Sequence, residues 1–160
     1  MTTEVHVLLP NIRSAYNVGS IFRSADCFGI ARIYLSGTTP CPLDRFGRST
    51  SGPQKEISKT ALGAEKDIPW EYLIDVTSFL KNKKKQGFTI VSIEQHKDSI
   101  TLEDFKKKKQ KKVLVIFGNE VDGVDKDLLK NSDYIVEIPM KGNKESLNVS
   151  VCAGLVMHVL

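Results

Sequence analysis

The run Val113–Leu114–Val115–Ile116–Phe117, followed at once by Gly118–Asn119–Glu120–Val121–Asp122–Gly123, decides the fold class. Five consecutive apolar residues, three of them β-branched, suit a short strand buried on both faces, as in a parallel sheet. The switch at Gly118 to glycine, asparagine and acidic residues ends the strand and begins a loop. Similar runs occur at Val5 to Leu9, Ala31 to Leu35, Phe88 to Ile93 and Tyr134 to Ile138. Between them 17–29, 75–86 and 125–130 read as helices, and 146–159 as a last one. Pro40, Pro42, Gly47, Gly52 and Pro53 mark 39–69 as a long irregular loop with a short helix near Ser58 to Ala64. This alternation predicts one α/β domain over 1–160, a mostly parallel sheet flanked by helices.

The composition agrees with a compact domain. The chain has 160 residues, of which 41% are hydrophobic, enough for a core without disulfides. No apolar run approaches the roughly 18 residues of a membrane helix. With a strand-like run beginning at Val5, no signal or transit peptide is expected. Cys27, Cys41 and Cys152 are odd in number and widely spaced, which suits reduced thiols in a cytoplasmic protein. The net charge is only +4, but residues 81–112 hold eleven lysines and four acids, a local balance of +7. Lys83 to Lys85 and Lys106 to Lys109 with Lys111 and Lys112 form two basic clusters, either solvated loops or a surface that steers RNA.

The glycines exclude several chemistries. No two stand closer than five residues, so there is no GxGxxG turn. Gly47 to Gly52 and Gly118 to Gly123 have GxxxxG spacing, but neither is followed by Lys and Ser or Thr. GxSxG and HExxH are absent, and His6, His96 and His158 are scattered, so no metal site is expected.

Three loops that follow strands carry the remaining polar signal: Pro10 to Arg23, Phe117 to Gly123 and Ile138 to Ser150. Ligands of parallel sheets bind outside the carboxyl ends of the strands, so these loops can share one crevice. The lysine clusters precede their strands and belong near the opposite end. In the first helix Val18, Ile21, Phe22, Ala25 and Phe28 form an apolar stripe, with Arg23 about 160° from its centre. Gly19 lies one turn before Arg23. An interior glycine costs a helix about 1 kcal/mol against alanine, so close approach of a ligand or another subunit would account for it.

With these segments the sequence resembles the SPOUT superfamily of RNA methyltransferases, in particular the TrmH-like group that methylates ribose 2′-hydroxyls. NxGxxxR stands as Asn17, Gly19 and Arg23, and FGxExxG as Phe117, Gly118, Glu120 and Gly123. The third motif stands as Ile138–Pro139–Met140 with Ser146 to Ala153, and Lys59 to Glu65 with Ile68 to Glu71 is also similar to this group. The resemblance implies a C-terminal deep trefoil knot and S-adenosyl-L-methionine as cofactor, held at Ile93, Gly118, Ile138 and Leu147. It assigns Arg23 the central catalytic role, supported by Asn17, Glu120, Ser146 and Asn148. It also implies RNA, tRNA or rRNA, as substrate, and a homodimer through the first and last helices. The small residues Ser150, Ala153 and Gly154 on the last helix suit close helix packing, in a dimer or against its own sheet.

The bare residues leave alternatives open. Ser146 and Asn148, and Asn17 in the first helix, suit helix N-caps as well as catalysis. A guanidinium holds its proton in water, so Arg23 is better suited to gripping a phosphate and a developing alkoxide than to acting as a base. Base methylation by another SPOUT branch, or RNA binding without catalysis, are the competing functions. The expected form is a minimal catalytic domain without an appended RNA-binding domain.

Overall fold

The computed structural model describes residues 3–49 and 52–160. In chain order the elements are β1 (Glu4–Pro10), α1 (Ala15–Cys27), β2 (Arg32–Ser36), α2 (Gly52–Ala61), α3 (Ala64–Asp67), β3 (Trp70–Leu73) and α4 (Val76–Lys85). There follow β4 (Thr89–Ile93), β5 (Ile100–Thr101), α5 (Leu102–Lys106), β6 (Lys112–Phe117), α6 (Lys126–Asn131), β7 (Tyr134–Glu137) and α7 (Val149–Val159). The seven strands form one sheet in the order β3-β2-β1-β6-β4-β7-β5, and every pairing is parallel. The central pair is β1 and β6, with Val7 beside Val115 and Leu8 beside Ile116. From β1 the chain leaves toward β2 on one side, and from β6 through α6 toward β7 on the other, so these two strands flank the topological switch point.

Both faces of the central strands are covered, which is why their sequences are continuous apolar runs rather than alternating ones. Val7, Leu9, Val113 and Val115 pack under α1, α2 and α7 through Val18, Ile21, Phe22, Ile57, Ala153 and Val156. Leu8, Ile90, Leu114 and Ile116 face the other way, against Leu80 of α4 and Leu128 and Leu129 of α6.

Several expected boundaries move. Ser14, not Asn17, caps α1: its side chain accepts a hydrogen bond from the Asn17 N–H, so the helix begins two residues earlier than expected. Phe28 falls at the C-cap, leaves the apolar stripe and is 42% exposed, packing on His158. The final helix starts at Val149 rather than at 146, with Asn148 as its cap. The segment 39–69 is more ordered than its prolines and glycines suggest, since α2 and α3 occupy much of it. Gly19 has a different reason from the one expected. A Cβ there would collide with Thr60 Oγ1 and the Ile57 carbonyl oxygen, so the glycine lets α1 and α2 cross closely within one chain. No helix among the described residues is long and apolar enough to cross a membrane.

Candidate active site

The segments that follow β6, β4 and β7 enclose a crevice of about 630 Å³ at the carboxyl end of the sheet. Ile93, Gly118, Ile138 and Leu147 all line it, as do Glu120, Ser146 and Asn148. Seven of the nine residues singled out in the sequence therefore meet around one space. Asn17 stands at its edge through its hydrogen bonds. Arg23 does not reach it: this exposed residue lies six positions further along α1, about 9 Å of helix rise. It makes no ion pair or side-chain hydrogen bond among the described residues.

Glu120 ties the crevice to the start of α1. Its Oε2 accepts the Arg13 N–H at 3.0 Å, and its Oε1 accepts the Ser14 N–H at 3.2 Å and the Asn17 side-chain amide at 2.9 Å. Burial alone would raise the carboxyl's pKa, but the donors from Arg13, Asn17 and Ser14 outweigh it and hold the pKa below the usual value. Glu120 is thus an ionised acceptor, fixed before any ligand arrives. Asn17 can serve here because Ser14 has taken the cap. Its Oδ1 accepts from Asn148 Nδ2 at 3.2 Å, while Asn148 Oδ1 caps α7 by accepting the Ser150 N–H at 2.8 Å. Asn148 therefore caps a helix and joins the site network at once. Ser146 is exposed just before α7.

The loop after β6 folds back on itself, with Asn119 and Gly123 exchanging backbone hydrogen bonds. A Cβ on Gly118 would strike the backbone of Gly123 and Val124, so this glycine is demanded by its own loop rather than by a ligand's approach. Gly123 has φ +70 and lies against the Glu94 carboxylate, where a side chain would collide. Glu94, on which the sequence placed no emphasis, accepts the Val124 N–H at 2.9 Å and so joins the loop after β4 to the loop after β6. Its only sequence signal is an acid directly after a buried strand. Gln95 continues the seam by donating to the Glu145 carbonyl. Burial, with a smaller contribution from Glu94, pushes the Cys152 thiol up to about 11, so it lines the crevice as a neutral group.

A second, polar crevice of about 470 Å³ lies across the β6 loop, between Asn11, Arg13, Thr38, Asn119, Asp122 and Asp125. Arg13, not assigned a role from sequence, is exposed there. Among the described residues no group of three or more His, Cys, Asp or Glu side chains is placed to hold a metal ion.

An all-parallel α/β domain with a crevice beside the switch point, edged by the Asn17–Glu120–Asn148 network and a self-folded glycine loop, defines a ligand-binding class at the carboxyl end of the sheet. The chain belongs to the SpoU rRNA Methylase family, whose profile matches residues 4–158. Over 155 residues it is 28% identical to the 23S rRNA (guanosine-2'-O-)-methyltransferase RlmB of Neisseria meningitidis, covering 94% of this chain and 55% of that one. Over 146 residues it is 30% identical to the mouse tRNA (guanosine(18)-2'-O)-methyltransferase TARBP1, covering 88% of this chain and 8% of that one. This chain thus spans about half of the bacterial relative and a small part of the mouse one. The fold is similar to that of an AdoMet-bound rRNA methyltransferase from Sinorhizobium meliloti, with TM-score 0.83, 24% identity, and coverage of 99% of this chain and 56% of that one.

Proposed function

We propose that this chain is an S-adenosylmethionine-dependent RNA methyltransferase acting on a ribose 2′-hydroxyl of tRNA or rRNA. The observation that carries this reading is the convergence of seven of the nine residues singled out in the sequence on one crevice at the carboxyl end of the sheet. The residues present fit the cofactor. The volume lies in the range of small-molecule sites, Ile93, Ile138 and Leu147 offer apolar wall, and the Glu94 and Glu137 carboxylates suit a cationic ligand. Ile93, Gly118, Ile138 and Leu147 would hold it, and when bound it supplies an electrophilic methyl group on a sulfonium. Two relatives, both guanosine 2'-O-methyltransferases by name, support ribose as the acceptor.

The chain's own residues then have to position the 2′-hydroxyl and deal with its proton. Arg23 grips the adjacent phosphate and stabilises the developing alkoxide, and a phosphate oxygen or water accepts the proton. Glu120 fixes Asn17, which with Asn148 and Ser146 orients the ribose. Arg23 stands outside the crevice of its own chain, which supports a homodimer through α1 and α7 that brings it to the site. Phe28 at the end of α1, and Val151 and Leu155 on α7, leave 42%, 52% and 46% of their surfaces exposed and suit such an interface. Sedimentation showing only monomer at micromolar concentration would remove the dimer.

The same reading includes a trefoil-knotted C-terminal segment, supported by membership of the family, and a single catalytic domain over 1–160. A reducing, cytoplasmic location suits Cys27, Cys41 and Cys152, all free thiols. The test is transfer of labelled methyl from S-adenosylmethionine to tRNA and, separately, to rRNA, followed by alkaline digestion. Label in alkali-resistant dinucleotides, absent with Arg23→Ala, is the expected result. Label in mononucleotides would replace ribose by base methylation, and no label with bound cofactor would favour RNA binding without catalysis.

A further inference from the structure

The loop between β2 and α2 carries an exposed aromatic ring beneath two guanidinium groups. Phe46 is 65% exposed, and the Arg45 and Arg48 guanidinium carbons lie 4.7 Å and 4.8 Å from its ring centroid. The turn that presents it is closed on itself. Asp44 N–H donates to the Arg48 carbonyl, and Asp44 Oδ1 accepts the N–H groups of Phe46 at 2.8 Å and Arg48 at 2.9 Å. Asp44 Oδ2 meets Arg48 Nε and Nη2, each at 2.9 Å, so one guanidinium is fixed in a forked pair. Arg45 has no carboxylate partner among the described residues.

The turn also belongs to the site's end of the molecule. Thr39, five residues before Asp44, donates to the Leu9 carbonyl at 2.7 Å and accepts the Ile12 N–H at 2.9 Å. This pins the loop's root to the segment that carries Arg13. Thr38 beside it lines the second crevice together with Arg13. Neither core cluster includes Phe46, so the ordering of this turn serves no packing of the domain.

An ordered, solvated ring bearing cations is poorly explained by stability and well matched to unpaired nucleic acid. Every base offers a π-face for an aromatic ring or a guanidinium plane, and every phosphate offers a charge to a free arginine. We propose that Arg45, Phe46 and Arg48 form a stacking clasp for a single-stranded nucleotide flanking the methylated one, with Arg45 on its phosphate. The clasp rests on the RNA-methyltransferase reading above and adds a second contact point beyond the crevice. A single-stranded element such as a tRNA or rRNA loop is the form it takes, since a base inside a duplex has no free face.

The test measures binding of a fluorescein-labelled single-stranded oligouridylate, and methyl transfer to tRNA and rRNA, with the full chain. Phe46→Leu keeps the bulk but removes the ring, and should weaken oligouridylate binding about tenfold while leaving the salt slope unchanged. Phe46→Tyr should restore binding. Arg45→Gln should lower the salt slope by about one. Wild-type binding and transfer unchanged by Phe46→Leu would overturn the clasp and leave the methyltransferase standing. A wild-type chain that neither binds nor methylates RNA would overturn both. A dimer that dissociates on Phe46→Leu, with RNA binding unchanged, would make the ring a contact between copies and overturn the clasp.

Discussion

The two ends of the sheet treat charge in opposite ways. At the amino end the chain encloses it. Lys83, counted with the basic clusters from sequence, is 7% exposed, and its ammonium lies 4.5 Å from the Phe88 ring centroid and 5.0 Å from that of Tyr34. It donates to His6 Nδ1 at 3.2 Å, and the other ring nitrogen of His6 meets Glu4 at 3.0 Å. Its neighbours are paired as well, Lys84 with Asp133, Lys107 with Asp104 and Lys112 with Glu4. At the carboxyl end Arg13 and Arg45, and further along α1 Arg23, stand in solvent without a carboxylate partner among the described residues. The densest basic stretch of the sequence thus spends much of its charge on the protein itself. The sparser arginines are the ones free to meet a polyanion.

The largest effect that would break this contrast is at Arg23. Arg23→Ala should lower methyl transfer about a thousandfold, the scale of losing a charge-stabilising donor. Because the side chain is exposed and unpaired, thermal stability should not change. Arg23→Lys should recover only part of the rate, since an ammonium cannot make the forked grip. Transfer at the wild-type rate with Arg23→Ala would move the catalytic charge elsewhere, and Arg13 in the second crevice would be the first replacement to try.

Next comes a change that touches neither end. Gly19→Ala drives a methyl group into Thr60 and the Ile57 carbonyl, and the backbone partner cannot rotate away. It should destabilise the fold by about 2 kcal/mol as overpacking, seen as a lower denaturation midpoint. An unchanged midpoint would mean that α2 yields, and would return Gly19 to a role beside Arg23.

What the sequence made legible follows from how strongly one residue type commits the backbone. Val113 to Phe117 and Val5 to Leu9 could only be buried strands, and the polar residues after them could only be loops at one end. The crevice was therefore readable before its walls were. Cap choice was not, because Ser14 and Asn17 are both good caps and only the hydrogen bond to Glu120 shows which one is spare. In α2 the Gly52–Pro53 pair looked like a break, yet proline in the first turn of a helix lacks only an N–H that would be unpaired anyway. The edge strand β3 is short and has Glu71 and Tyr72 exposed, so its alternation was too brief to register. Glu94 belongs to no motif, and its role exists only because folding brings Gly123 and Val124 against it.

The buried pair at the amino end predicts a pH dependence. Burial first, then the charge of Lys83, lowers His6 from 6.5 to about 4, against a smaller opposing pull from Glu4. The unfolded chain therefore binds a proton between about 4 and 6.5 that the folded chain refuses. His6 contributes full stability above pH 6.5, and this falls as pH drops through that window. The midpoint of wild-type denaturation should decline more steeply from pH 6.5 to 4.5 than that of His6→Gln. Parallel declines would show that the pocket admits the protonated ring, and the enclosure of charge at this end would be looser than its contacts indicate.

The smallest effect should come from the run Lys106 to Lys109. Lys107 is paired with Asp104, and Lys108 lies 5.1 Å from the Tyr134 ring centroid, so two of the four are already engaged. The run is also at the far end of the sheet from the crevice. Replacing all four with glutamine removes long-range attraction for RNA without touching a contact at the site. The rate at saturating RNA should stay at the wild-type value, while the apparent KM rises about threefold at low salt and returns to wild type as the Debye length shrinks. A loss that persists at high salt, or a fall in the saturated rate, would put these lysines in contact with bound RNA. The amino end would then be part of the substrate surface, and RNA would have to wrap past the sheet edge to reach both ends at once.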